Sequence, residues 1–183
     1  EQPLKVEPTQ IQALSEDSPT NLPTTLTQLE EPKVQIFKVG ESASDNRLKV
    51  TVNSFSFKDK ITFSSSTNIG GQDYGSSLDF KPKEGYQFLI LDLSIENLQT
   101  DKTSSISSIL QFKVSDVDGY NYDYSMNTFY LDKSFEDGDI LPGMKKRGNV
   151  AFEVPKNPVG LKFAFLFDLA GQTAIFDLKW TKK

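Results

Sequence analysis

Apolar side chains between Leu48 and Trp180 recur at every second position, not every third or fourth, and that period restricts the chain to β-strands. In YQFLILDLSIEN, Leu89, Leu91, Leu93 and Ile95 share one face, while Tyr86, Phe88 and Ile90 cover half of the other. Apolar residues on both faces mark a central strand. Leu110, Phe112 and Val114 alternate in the same way, as do Val150, Phe152 and Val154. Two further runs follow, Leu161, Phe163, Phe165 and Phe167, then Ala174, Phe176, Leu178 and Trp180. Leu48, Val50 and Val52 have one parity and Phe55 and Phe57 the other, which predicts a bulge at Asn53-Ser54. No stretch of residues 33–183 supports a helix longer than two turns.

Turn signals separate the runs at Asp118-Gly119, Asp137-Gly138, Pro142-Gly143, Asn157-Pro158 and Ala170-Gly171. Short alternating strands with turns of this kind predict an all-β fold, an immunoglobulin-like antiparallel β-sandwich of about seven to eight strands. Its core is expected to include Val50, Leu89, Leu91, Leu93, Phe112, Phe152, Phe163 and Phe165. Ser64 to Ser77 lacks any hydrophobic pattern and contains Gly70, Gly71 and Gly75, so it is expected to be a long mobile loop, used in recognition or simply solvated.

Residues 1–32 are of another kind: they hold five of the nine prolines, no glycine and no aromatic residue. They cannot bury enough apolar area to offset their ordering entropy, so a flexible tether is expected ahead of a globular body at 33–183. The tether carries six acids and one base, leaving 19 acidic and 19 basic residues in the body. A balanced body and a pI near 4.8 give no basic patch for phosphates, so nucleic acid is not an expected partner. A polar spacer before a cysteine-free body is what a mature lipoprotein looks like once its lipid-bearing N-terminal cysteine is left off. The chain is therefore expected to be membrane-anchored or secreted.

The 183 residues include neither histidine nor cysteine. This removes Ser-His-Asp and Cys-His nucleophiles, imidazole and thiolate metal sites, haem and iron–sulfur ligation, and disulfides. There is no GxSxG, no Ser-x-x-Lys and no phosphate-binding glycine loop. Paired carboxylates can hydrolyse glycosides, but no local pattern singles out a pair. The residues favour a non-catalytic binding module over a carboxylate-dependent hydrolase, with no cofactor expected.

VGES followed by LKVTVNSF, GYQFLILDLSIEN, LQFKVSDVDGYNY and LPGMKKRGNVAFEVP is similar in order and spacing to DUF4352 domains over roughly residues 36–180. Its most specific elements are Glu96-Asn97, Asp118-Gly119, Pro142-Gly143, Arg147-Gly148 and Phe152-Glu153-Val154-Pro155. The resemblance implies an immunoglobulin-like domain of bacterial and archaeal lipoproteins and secreted proteins. It implies no catalytic residue.

Three features are candidate sites. Asp116, Asp118 and Asp123 lie close together in SDVDGYNYD, where oxygen donors can wrap calcium, although Asp-Gly between two strands is first of all a tight turn. Glu136, Asp137 and Asp139 in FEDGD could add ligands if the fold brings them near. Tyr120, Tyr122 and Tyr124 share one strand face, where they can contact a glycan or a protein or cell-envelope partner, or pack onto the core. Lys145, Lys146 and Arg147 read as a solvated basic turn.

Overall fold

The computed structural model describes residues 35–168 and 171–179; the tether expected over 1–32 and Trp180 lie outside them. In chain order the elements are β1 (Ile36–Lys38), β2 (Ser42–Ser44), β3 (Leu48–Lys58), β4 (Ile61–Ile69), β5 (Gln72–Phe80) and β6 (Tyr86–Asn97). There follow β7 (Ser104–Ile106), the four-residue helix α1 (Ser108–Gln111), β8 (Phe112–Ser115), β9 (Asn121–Tyr122) and a 3₁₀ turn at Met126–Tyr130. The chain continues with β10 (Gly138–Ile140), β11 (Lys145–Pro155), β12 (Lys162–Leu166) and β13 (Thr173–Asp177).

Two sheets form a β-sandwich. One has the order β1-β13-β12-β8-β9 and the other β11-β6-β3-β2. These hold nine strands, one or two more than expected, and β10-β7 and β4-β5 add two ribbons. The extra strands in the first sheet include three-residue β1, parallel to β13, which is too short to show a period. β6 lies between β11 and β3 with Leu89, Leu91, Leu93 and Ile95 buried, as its two apolar faces predicted. They meet Val50 and Val52 of β3, Val150, Phe152 and Val154 of β11, and Phe112, Phe163, Phe165 and Phe176 of the opposite sheet in one core. The predicted bulge is present: the β3–β6 register shifts between Val52 and Ser54. Asn53 at the bulge donates from Nδ2 to Asp92 Oδ1 at 3.1 Å and Ser94 Oγ at 2.9 Å.

The outer face of β6 has its own apolar cluster. Phe88 and Ile90 pack with Ile61 and Ala151, and Phe80 and Leu131 close over them. Ile61 and Phe80 belong to β4 and β5, and this corrects the expectation of a loop at Ser64–Ser77. The segment is an unbroken antiparallel hairpin, paired from Ile61↔Phe80 to Ile69↔Gln72. Gly70 and Gly71 turn it with φ +64 and +86, the positive angles a two-residue hairpin loop needs. The alternation was invisible because serine, threonine and asparagine occupy seven of the fourteen positions from Ser64 to Ser77, on two largely exposed faces. Leu110 is a second correction: it sits in α1 and is exposed, so β8 begins only at Phe112.

Candidate functional site

The tyrosine segment crosses one flank of the sandwich from the edge of one sheet to the edge of the other. At its start, β8 and β9 form a hairpin, with Val114↔Tyr122 and Ser115↔Asn121 paired around the Asp118-Gly119 turn. Asp116 braces that turn. Its Oδ1 accepts the N–H groups of Asp118 at 3.0 Å and Tyr120 at 2.9 Å, and its Oδ2 accepts the Tyr122 hydroxyl at 2.5 Å. The Tyr122 hydroxyl and these N–H groups hold the Asp116 carboxyl below its usual value. Burial, then the bond to Asp116, pushes Tyr122 up to about 12.

At its far end the segment is fixed to β11. Tyr124 bridges Phe152, the Ser125 N–H donates to Ala151 O at 2.8 Å, and the Ala151 N–H donates to the buried Thr128 Oγ1 at 2.9 Å. Ser125 Oγ accepts the Asn127 N–H at the start of the 3₁₀ turn. Between these anchors the three tyrosines divide. Tyr122 and Tyr124 pack against the core, Tyr124 edge-on to Phe152 with centroids 6.0 Å apart, while Tyr120 is 69% exposed. Burial raises Tyr124 above the ordinary tyrosine value.

An open groove of about 630 Å³ runs beside this segment, lined on the near side by Tyr120–Asn127 and on the far side by Lys83, Tyr86, Glu153 and Pro155. Tyr86 and Pro155 are a register pair at the ends of β6 and β11. The Lys83 ammonium lies 3.8 Å from the centroid of the Tyr86 ring, a cation–π contact. A second depression of about 530 Å³ borders the other side of the segment, where Ile109, Phe112, Lys113 and Met126 contribute. Lys83, Tyr86 and Glu153 gave no local signal, since they join the tyrosines only through the pairing of β6 with β11 and the bridge to Phe152.

The candidate acids stay dispersed. Asp116 has committed its oxygens to the turn, and among the described residues no three acidic side chains gather as a metal site would require. Asp137 accepts the backbone N–H and the hydroxyl of Ser108 at the start of α1. The basic run is a correction: it opens β11 and is not a turn, the turn being Pro142-Gly143 before it. Arg147 makes a two-pronged pair with Asp92 at 3.0 and 2.6 Å, and Lys145 meets Glu96 at 3.2 Å, where Lys49 also ends at 2.5 Å. Lys146 Nζ donates to the carbonyls of Glu136 and Asp137.

The sequence profile of a family described as a domain of unknown function (DUF4352) matches residues 37–175. No curated protein matches the sequence. Among solved structures, the yjhA protein of Bacillus subtilis superposes with a TM-score of 0.56 at 15% identity, over 78% of this chain and 99% of its own. An uncharacterized β-sandwich protein from Clostridium difficile 630 gives 0.50 at 16% identity, over 82% of this chain and 99% of its own. A conserved hypothetical protein from Bacillus anthracis gives 0.50 at 16% identity, over 71% of this chain and 88% of its own. These likenesses bear on the fold.

Proposed function

The chain belongs to the DUF4352 family, and from that premise we propose that it is a non-catalytic binding module acting outside the cytoplasm, with the tyrosine groove as its contact surface. The partner is a protein or another component of the cell envelope, and residues 1–32 tether the body near the membrane. One observation carries the reading: an exposed ring, Tyr120, stands over an open groove on a segment fixed at both ends. Rigid aromatic side chains of this kind supply contact area at low ordering cost. The basic start of β11 is instead engaged internally, Lys145 with Glu96 and Arg147 with Asp92.

The absence of histidine and cysteine supports a non-catalytic role. Cosedimentation of the full chain with an insoluble cell-envelope preparation tests the proposal. The native chain is expected to pellet with the envelope and Tyr120→Ala to remain in the supernatant. Equal pelleting of the two would remove the groove from the account. Fractionation of the source cells tests location, and recovery in the cytoplasm would refute it.

A further inference from the structure

We infer that the groove beside Tyr120 holds a run of uncharged pyranose sugars, an inference that rests on the groove being the binding surface and names its ligand. A pyranose offers a flat C–H face and a rim of neighbouring hydroxyls, so its site needs an accessible ring beside planar hydrogen-bonding groups. The Tyr120 ring is 69% exposed, and its backbone is held by the Asp116 carboxylate at 2.9 Å. Asn121, Asp123, Asn127 and Glu153 line the same groove. Their amides and carboxylates are the groups that bond pairs of adjacent hydroxyls.

Charge selects within the class of sugars. Among the described residues Lys83 is the one cation lining the groove, against Asp123 and Glu153. A polyanionic glycan or a phosphate-rich chain would meet net repulsion there, whereas an uncharged chain does not. A peptide is disfavoured for another reason. Extended peptides bind by adding a strand to an open edge, through main-chain hydrogen bonds. Here the open edge beside the groove belongs to β9, only two residues long, and the main chain on either side of it is engaged: Tyr120 O accepts the Asp116 N–H, Tyr124 bridges Phe152, and the Ser125 N–H is spent on Ala151. Recognition falls to side chains.

The test titrates the full chain with soluble cellohexaose and chitohexaose by calorimetry, and repeats the envelope cosedimentation after protease treatment of the envelope. At least one oligosaccharide is expected to bind at about 1 mM or below. Tyr120→Ala should weaken that binding about tenfold, the scale of one lost aromatic contact. Tyr74→Ala, which removes an exposed ring from β5, should leave it unchanged. Protease treatment should not reduce pelleting, and the same oligosaccharide should compete with it. If neither sugar binds, and pelleting is lost both on protease treatment and in Tyr120→Ala, the sugar assignment is overturned while the groove remains the contact surface. If the sugars bind equally well to native chain and Tyr120→Ala, or pelleting is indifferent to Tyr120, the groove itself is refuted. Melting curves of both variants confirm that each is folded.

Discussion

Gly148→Ala should be among the most damaging single-methyl substitutions in this chain. A Cβ at this position of β11 would lie 2.4 Å from Phe135 Cα, 2.6 Å from Phe135 N and 2.8 Å from Ser134 C. Carbon contacts settle near 3.5 Å, so the crossing segment must retreat by about 1 Å. That segment is backbone, tied to β11 by three hydrogen bonds: Asn149 N–H to Lys133 O at 2.8 Å, Phe135 N–H to Asn149 O at 2.9 Å, and Asn149 Nδ2 to Asp132 O at 2.7 Å. A retreat of this size stretches all three past useful length, at about 1 kcal/mol each, and adds the overpacking penalty of about 1–3 kcal/mol. It also draws on Phe135, which is 1% exposed and packs edge-on against Phe112. The expected loss is about 4–6 kcal/mol, or a melting temperature lower by roughly 15 °C for a domain of this size. Thermal and urea unfolding of the full chain measure it. Gly75→Ala is the control, because its nearest neighbour is Ser65 O at 3.9 Å and its φ is unexceptional, so no loss is expected. A Gly148→Ala loss below about 1 kcal/mol would show that the crossing is not held as described.

Leu91→Ala removes a fully buried side chain from the central strand and should cost about 2–5 kcal/mol by urea unfolding; a loss under about 1 kcal/mol would mean that β6 is not central. The Tyr122 phenolate should appear near pH 12 by ultraviolet titration, and Asp116→Asn should move it down. Because the folded state raises this group, its contribution to stability is present below pH about 10 and lost as pH rises towards 12. Asp116 has the opposite sign: its lowered value contributes above pH about 4, and the contribution is lost on acidification through the folded value. Calcium at Asp116, Asp118 and Asp123 is tested by thermal shift. With the Asp116 oxygens already engaged, no shift is expected at about 10 mM, whereas a real site at 100 times its dissociation constant would add about 2.7 kcal/mol. A shift abolished by Asp118→Asn with Asp123→Asn would establish the ion there.

Strands that face the core were legible because their environment differs between faces. Leu89 to Ile95 and Phe163 to Phe167 look inward at a dry interior, so alternate positions had to be apolar. The bulge at Asn53 was legible for the same reason, since the inward parity changes across it. The β4–β5 hairpin was not, because beyond Ile61 and Phe80 its two faces meet water and serine serves on either. The Gly70-Gly71 pair was a hairpin signal in its own right. Gly148 looked like any glycine in a strand; its necessity comes from Phe135, thirteen residues away in sequence. At the site, Tyr120, Tyr122 and Tyr124 could be named from parity. Their separation into one exposed ring and two packed ones depends on the bridge to Phe152 and could not.

The groove assignment is tested most directly by the ring resonances of the six tyrosines in ¹³C-tyrosine-labelled full chain, followed as soluble envelope fragments are added. Tyr120 and Tyr86 line the groove, Tyr122 and Tyr124 form its near side, and Tyr74 and Tyr130 lie away from it on the β4–β5 hairpin and the 3₁₀ turn. The account predicts that Tyr120 and Tyr86 move with the added fragments, and that Tyr74 and Tyr130 stay in place. Movement confined to Tyr74 and Tyr130 would contradict it, and would put the contact on the hairpin instead.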